Sequence, residues 1–141
     1  MTIKQSTILI SRIALFIIYF WFGFLKVIGQ SPASPMLHSL LSHTMPFIPF
    51  SIFIIFFGLF EMLIGALFVV PGAERYAIIL FCLHMVTVAL ALFILREEIW
   101  TGIFAPTLEG QYIIKNLALI ACVLTVWSSI DSQRERNNAI I

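Results

Sequence analysis

The sequence predicts an all-α integral membrane protein, a bundle of four transmembrane helices with a short interfacial helix in its first outer loop. First, 61% of the 141 residues are hydrophobic, only 11% are charged, and the mean hydropathy is +1.06. A soluble chain of this size has too little interior to hide that much apolar surface. Second, the apolar residues gather into four runs of about 20 residues, enough for a helix to cross about 30 Å of hydrocarbon. These runs, at 7–29, 47–70, 76–95 and 111–130, predict a single transmembrane domain over residues 1–141.

The connections between the runs predict how the spans are arranged. The first run is too long for the apolar region of a signal peptide and carries Arg12 and Lys26, so we interpret it as a retained span. The short turn at 71–74 makes the second and third spans an antiparallel hairpin. In the first outer loop, Ser34 is the expected N-cap of the interfacial helix and Pro35 its first residue.

The charges outside the spans predict the topology. Four spans place both termini on one side of the membrane, where Lys4, Arg134 and Arg136 lie, and Arg75 occupies the turn on that same side. The positive-inside rule therefore predicts that both termini are cytoplasmic. The net charge of +1 gives no basic surface of the kind that binds nucleic acid.

Polar residues recur along one face of each of the first three spans. Arg12, Tyr19 and Lys26 are spaced by seven, which keeps them in one line along the first helix. The second span aligns Glu61 with two glycines, Gly58 and Gly65, whose lack of a side chain permits close helix contact. The third span places His84, Thr87 and Ala91 on one face. We expect these faces to turn inward.

The fourth span has a similar stripe of small and polar residues, which we also expect to face the interior. Its members are Lys115, Ala118, Cys122, Thr125 and Ser129. Glu109 lies in the first turn of this span, where the helix dipole favours an acid.

Glu61 is the most informative of these residues because a carboxylate deep in a membrane is costly. At 1.5 Å per residue it lies roughly 15 Å from the inner end of its span, and His84 lies at a similar depth. We expect Glu61 to pair with Arg12 or His84, or to be protonated. The simpler alternatives are a purely structural ion pair at Glu61, a packing role for His84, and a snorkelling side chain at Arg12.

A second charged cluster is expected at the outer mouth of the bundle. Its predicted members are Lys26, Arg96, Lys115 and one of the acids Glu97, Glu98 and Glu109. The alternative is that Lys26 snorkels to the surface and that residues 96–98 form a solvated helix end.

The sequence contains no recognisable catalytic or cofactor motif. His84 is the single histidine within the predicted spans, so neither a metal site nor a haem site is expected. Cys82 and Cys122 lie in different spans and form no C-x-x-C pair, which favours two buried apolar thiols over a redox pair. The sequence leaves open whether the chain is an enzyme, and we assign no catalytic residue.

Three stretches of the chain together resemble the DoxX-like family of small four-span bacterial membrane proteins. The first is Arg12 followed by YFWFGFLK at 19–26 and Ser34-Pro35. The second is FGLFEMLIG at 57–65, and the third is PTLEGQYIIKN at 106–116, which opens the fourth span. The resemblance implies a four-helix bundle in the bacterial inner membrane, and its motif positions include Arg12, Lys26, Glu61, Glu109 and Lys115.

Three functions are compatible with these observations. The first is an accessory or ligand-binding component of a membrane redox or stress-response system, a setting that the resemblance to DoxX-like proteins implies. It would act on a protein partner or a lipid-soluble ligand such as a quinone. The second is a quinone-linked oxidoreductase subunit, and the third is a small proton-coupled transporter that uses Glu61. The site candidates for all three are Arg12, Tyr19, Lys26, Glu61, His84, Glu109 and Lys115. Phe-rich outer faces, together with Gly58 and Gly65, offer packing surfaces for a homo-oligomer.

Overall fold

The computed structural model describes the backbone of residues 2–138 and the side chains of residues 2–131, and it confirms the all-α bundle. The helices are α1 (Ile3–Val27), α2 (Ser34–Thr44), α3 (Phe50–Val69), α4 (Glu74–Ile94), α5 (Arg96–Ile99) and α6 (Leu108–Asn138). Two short strands, β1 (Trp100–Gly102) and β2 (Ala105–Pro106), pair antiparallel before α6. The side chains of Arg134 and Arg136, used to predict the topology, lie outside the described residues.

Four of the described helices, α1, α3, α4 and α6, are long and apolar enough to cross a membrane. Only 17–33% of the residues in their most apolar windows are buried inside the protein. Their outward faces consist of large apolar side chains, such as Ile17, Phe56, Leu83 and Phe93. Soluble proteins rarely expose so much contiguous apolar surface, so these faces indicate that the helices lie in a lipid bilayer.

Glycines at positive φ end α1 and turn the chain between α3 and α4. Gly29 has φ 72°, and the N–H of Gln30 donates to the carbonyl of Leu25, which is the Schellman arrangement that terminates a helix. Gly72 has φ 81° in the turn after α3. We call the side that holds the start of α1 and this turn the terminal side. The opposite side, which holds α2 and the β-hairpin, is the loop side.

The interfacial helix α2 forms where it was expected, with a different cap. Ala33 is the N-cap residue, without a side-chain hydrogen bond, and Ser34 is already the first helical residue. The cap prediction at Ser34 was therefore wrong by one residue, and Pro35 occupies the second helical position. A proline is accommodated in this first turn because its missing N–H would have no helical partner there. Three leucines of α2, Leu37, Leu40 and Leu41, are buried against the bundle.

A fully buried apolar cluster fills the terminal half of the bundle. Leu15, Ile64, Phe68, Ala77 and Val126 have no exposed surface and belong to one apolar cluster contributed by α1, α3, α4 and α6. These helices therefore pack closely between the middle of the bundle and the terminal side.

The predicted inward stripe of α6 is wrong at Lys115 and Ala118, which are exposed, while Cys122, Thr125 and Ser129 are half-buried. The buried face of α6 is aliphatic and includes Val123 and Val126. The stripe was chosen for its small and polar residues, but the partners of α6 in this half of the bundle are apolar and favour aliphatic packing.

The cysteine prediction also needs correction. Both thiols are free, but Cys82 is exposed on the outer surface of α4, and Cys122 is half-buried. Neither residue is one of the fully buried thiols that were expected.

Candidate functional site

Close contact between α1 and α3 brings two oppositely charged residues together. A Cβ atom added at Gly58 would lie 2.6 Å from the carbonyl oxygen of Gly23 and 2.9 Å from the Cβ of Lys26. A Cβ atom added at Gly65 would lie 2.8 Å from the backbone nitrogen of Phe20. Any larger residue at these positions would force the helices apart. The expected close helix contact at Gly58 and Gly65 thus forms within one chain, between α1 and α3.

Lys26 turns into the bundle from the last turn of α1. Its ammonium group lies 2.6 Å from Oε2 of Glu61, and the two residues are each 6% exposed. Side chains on a helix lean toward its N-terminus, so Lys26 leans toward the membrane interior rather than the near surface. The ammonium also lies 5.9 Å from the centre of the Phe57 ring. The snorkelling alternative for Lys26 is therefore wrong, and so is its place in an outer cluster with Lys115.

His84 and Tyr19 extend this ion pair into a hydrogen-bonded chain. Nε2 of His84 lies 3.0 Å from Oε1 of Glu61, and Nδ1 lies 3.3 Å from the Tyr19 hydroxyl. Because an ionised carboxylate only accepts hydrogen bonds, Nε2 carries the proton in that contact. With a neutral imidazole, Nδ1 then accepts from the Tyr19 hydroxyl. Both side-chain oxygens of Glu61 are thereby occupied, one by Lys26 and one by His84.

Of the two partners expected for Glu61, His84 is confirmed. Arg12 was the wrong partner, because it pairs with Glu74 instead. Nε of Arg12 donates to the carbonyl of Phe68 at 2.6 Å, and Nη1 lies 2.7 Å from Oε1 of Glu74. The Phe68 carbonyl belongs to the last turn of α3 and needs a donor from outside that helix. Arg12 therefore fastens α1 to the α3–α4 turn on the terminal side, about two helical turns from Tyr19 along α1.

We call Tyr19, Lys26, Glu61 and His84 the polar network; it forms the floor of a chamber of about 440 Å³ in the loop-side half of the bundle. The walls come from α1, α2, α3, α4 and α6 and are mainly apolar. They include Leu37, Leu40, Phe53, Phe57, Ala91 and Ile113. The exposed side chains of Phe22 and Tyr112 also line the chamber. The chamber is thus reached past the loop-side ends of α1 and α6.

The start of α6 adds polar groups that the sequence analysis only partly identified. Glu109 lines the chamber and is exposed, whereas Lys115 does not line it and instead lies over the Tyr112 ring at 5.1 Å. The residue after Lys115, Asn116, faces the chamber and was missed as a site residue. The spacing of Glu109, Tyr112 and Asn116 at i, i+3 and i+7 was the signal that identifies this face.

The remaining outer charges lie on the surface, as the solvated helix-end alternative predicted. Arg96, Glu97 and Glu98 are exposed, and Glu98 accepts a hydrogen bond from the Ser39 hydroxyl. The expected second charged cluster is therefore not formed. Among the described residues, no group of three or more His, Cys, Asp or Glu side chains is placed to hold a metal ion.

Comparisons of this chain with protein-family models, curated proteins and solved structures found no match. The similarity to DoxX-like proteins therefore rests on the three sequence stretches alone.

The geometry of the network defines what it can do chemically. It offers hydrogen-bond donors and acceptors at the floor of a mainly apolar space, and it joins four groups that can exchange protons through short contacts. Such an arrangement suits the binding of an amphipathic molecule with its polar end held in the bundle.

Proposed function

We propose that this protein is an accessory, ligand-binding component of a membrane redox or stress-response system, and that it holds a lipid-soluble molecule in the loop-side chamber. The observation that carries this proposal is the position of the polar network at the floor of a mainly apolar chamber of about 440 Å³. Known ligand sites combine these properties, with volumes of about 300–1,000 Å³ and few polar groups that orient the ligand.

The energetics of the polar network support a role beyond stability. Bringing Lys26 and Glu61 out of water carries a large desolvation penalty, and well-packed apolar residues often serve stability equally well. Ionisable residues inside membrane spans commonly line ligand or ion pathways for this reason. A pair next to a chamber fits that pattern better than a purely structural pair.

A quinone is the ligand class that best joins this site to a redox system. Its carbonyl oxygens would accept hydrogen bonds from Lys26, and its apolar tail would follow the walls toward Phe22 and Tyr112. As a quinone-linked oxidoreductase subunit, the chain would take its electrons from a cofactor on a partner protein. The resemblance to DoxX-like proteins supports the redox or stress-response setting.

The same resemblance supports a location in the bacterial inner membrane. With both termini cytoplasmic, as the positive-inside rule predicts, the mouth of the chamber faces the outer leaflet and the periplasm. A homo-oligomer would need a surface other than Gly58 and Gly65. The exposed phenylalanines, such as Phe56 and Phe93, and the face of α6 around the exposed Ala118 are alternatives.

Proton-coupled transport is the second candidate, and the chain of hydrogen bonds from Glu61 to Tyr19 favours it. Transport would also need a second arrangement that opens the packed core around Leu15 and Phe68 on the terminal side. Binding without translocation needs no such rearrangement, so we rank transport lower.

Native mass spectrometry of the protein, extracted gently from its own membrane, tests the proposal directly. A bound mass that matches a quinone or another lipid-soluble compound is expected. Thr87→Phe, which would fill the chamber, should abolish that bound mass, whereas Val86→Phe on the exposed face of α4 should retain it.

Equal ligand content in the two variants would exclude the chamber as the binding site. A bare chain in every preparation would count against ligand binding and favour transport. Proton-coupled flux, with Glu61→Gln as the inactive control, would then be the next measurement.

A further inference from the structure

We propose that the Lys26–Glu61 pair makes the chamber selective for an uncharged head group that accepts hydrogen bonds, and that Glu61 is the residue that excludes anionic amphiphiles. This inference rests on the proposed ligand-binding function and adds the charge class of the ligand. It follows from the charge balance at the chamber floor and from the hydrogen-bond donors left free there.

The charge balance argues against a charged ligand. Lys26 and Glu61 neutralise each other at 2.6 Å, and with a neutral imidazole at His84 the four groups of the network carry no net charge. A ligand carboxylate would meet an ammonium group that already has a carboxylate partner. It would bring an unbalanced charge into an apolar space, and that costs far more than placing a neutral group there.

The unused donors indicate what the head group contains. Lys26 has three N–H groups; Glu61 takes one, and the Phe22 carbonyl, at 3.5 Å, takes a second weakly. Asn116 lines the chamber, and its amide takes part in none of the side-chain hydrogen bonds of the described residues. Both oxygens of Glu61 already accept bonds, so the free groups at the chamber floor are mainly donors. The exposed Glu109 carboxylate, at the start of α6, is an acceptor elsewhere on the lining. Carbonyl and ether-type oxygens on the ligand would match the donors at the floor.

The shape of the chamber indicates the chemistry of the rest of the ligand. The polar network lies deep in the bundle, and the apolar walls continue to the exposed side chains of Phe22 and Tyr112 near the loop side. A ligand that fits has one uncharged, oxygen-bearing end and one apolar tail. Quinones, esters and ketones share this chemistry, and the matched probes below compare charge rather than compound family.

Three photoreactive probes with one common alkyl tail test this inference on the full chain in lipid nanodiscs. Their head groups are a methyl ester, a carboxylate and a trimethylammonium group. Covalent labelling is quantified and mapped by peptide mass spectrometry. In the wild-type protein, we expect the ester probe to label the chamber at least about tenfold more than either charged probe, a ratio that corresponds to about 1.4 kcal/mol.

The variant Glu61→Gln should reverse part of this preference. It removes the carboxylate and leaves the Lys26 ammonium without its anionic partner, so labelling by the carboxylate probe should rise at least about tenfold relative to the ester. Lys115→Met, which alters an exposed lysine that does not line the chamber, should keep the wild-type ranking. The ranking of the three probes on the wild-type protein tests the charge selectivity without any variant, even if Glu61→Gln fails to fold.

The outcomes separate the inference from the function on which it rests. Wild-type labelling that is strongest with the carboxylate or the ammonium probe would overturn the charge selectivity while retaining the chamber as a ligand site. Unchanged probe preference in a folded Glu61→Gln variant would overturn the role of Glu61. Absence of chamber labelling by every probe, together with no co-purified ligand, would overturn the proposed function as well.

Discussion

Replacing Glu61 by Gln should destabilise the bundle more than replacing Lys26 by Met, although the two substitutions break the same ion pair. The asymmetry arises from His84. After Lys26→Met, Glu61 keeps its 3.0 Å contact with Nε2 of His84, so one hydrogen-bond donor still faces the carboxylate. After Glu61→Gln, no other carboxylate lies within ion-pair distance of the ammonium among the described residues.

The expected magnitudes follow from this difference. Removing one partner of a buried ion pair typically costs about 3–5 kcal/mol, and we expect Glu61→Gln to fall in that range. Lys26→Met should cost about 1–3 kcal/mol, the range for a lost hydrogen bond that leaves its partner partly satisfied. The double variant should be less destabilised than the sum of the singles, since no unpaired charge remains.

The assay is reversible unfolding of the three variants and the wild type in one mixed-micelle system. The free energy of unfolding for each variant gives the coupling energy of the pair. A greater loss of stability for Lys26→Met than for Glu61→Gln would refute the argument from His84. Losses below about 0.5 kcal/mol for both single variants, the size typical of surface substitutions, would mean that the pair is solvated.

Three further predictions concern other parts of the fold. Gly58→Ala places a Cβ 2.6 Å from the carbonyl oxygen of Gly23, so it should lower the free energy of unfolding by about 1–3 kcal/mol, measured in the same micelles. Arg12→Gln removes the ion pair between Arg12 and Glu74, in which the two side chains are 19% and 16% exposed. It should increase proteolysis of the α3–α4 turn in vesicles and leave the ligand content unchanged. Lys115→Met should leave the thermal unfolding temperature unchanged, since this exposed side chain contacts the Tyr112 ring of its own helix; a marked change would imply an unseen partner.

The fold class and the central contact of the site were predictable from the sequence. Runs of apolar residues define spans because a bilayer leaves the backbone no partner outside a helix. The depths of Glu61 and His84 follow from the helical rise, so their contact could be predicted by counting residues from a turn. The line through Arg12, Tyr19 and Lys26 correctly identified one helix face.

The partners along that face required three-dimensional information. Lys26 was predicted to lie at the outer surface because counting along α1 locates its Cα atom but not the end of its long side chain. The direction of that side chain depends on the closeness of α1 to α3 at Gly58, which spacing alone does not give. Arg12 was paired with the wrong acid because Glu74, in the first turn of α4, offered a nearer carboxylate across the turn.

The prediction of which α6 face turns inward was the largest error, and its cause applies to membrane helices in general. A stripe of small and polar residues in a membrane helix marks a surface that avoids lipid, but it does not say which neighbour covers it. Within the chain, α6 packs through its aliphatic residues, and Asn116 rather than Lys115 faces the chamber.

The packed terminal half of the bundle has a consequence for the energy balance of the cell. A chain of proton-exchanging groups in the middle of a membrane would dissipate an ion gradient if water reached it from both sides. The fully buried side chains of Leu15, Ile64 and Phe68 separate the polar network from the terminal side. If the network exchanges protons with water on the loop side, these side chains would insulate it from the terminal side. Phe68→Ala should then increase the proton leak measured across sealed vesicles.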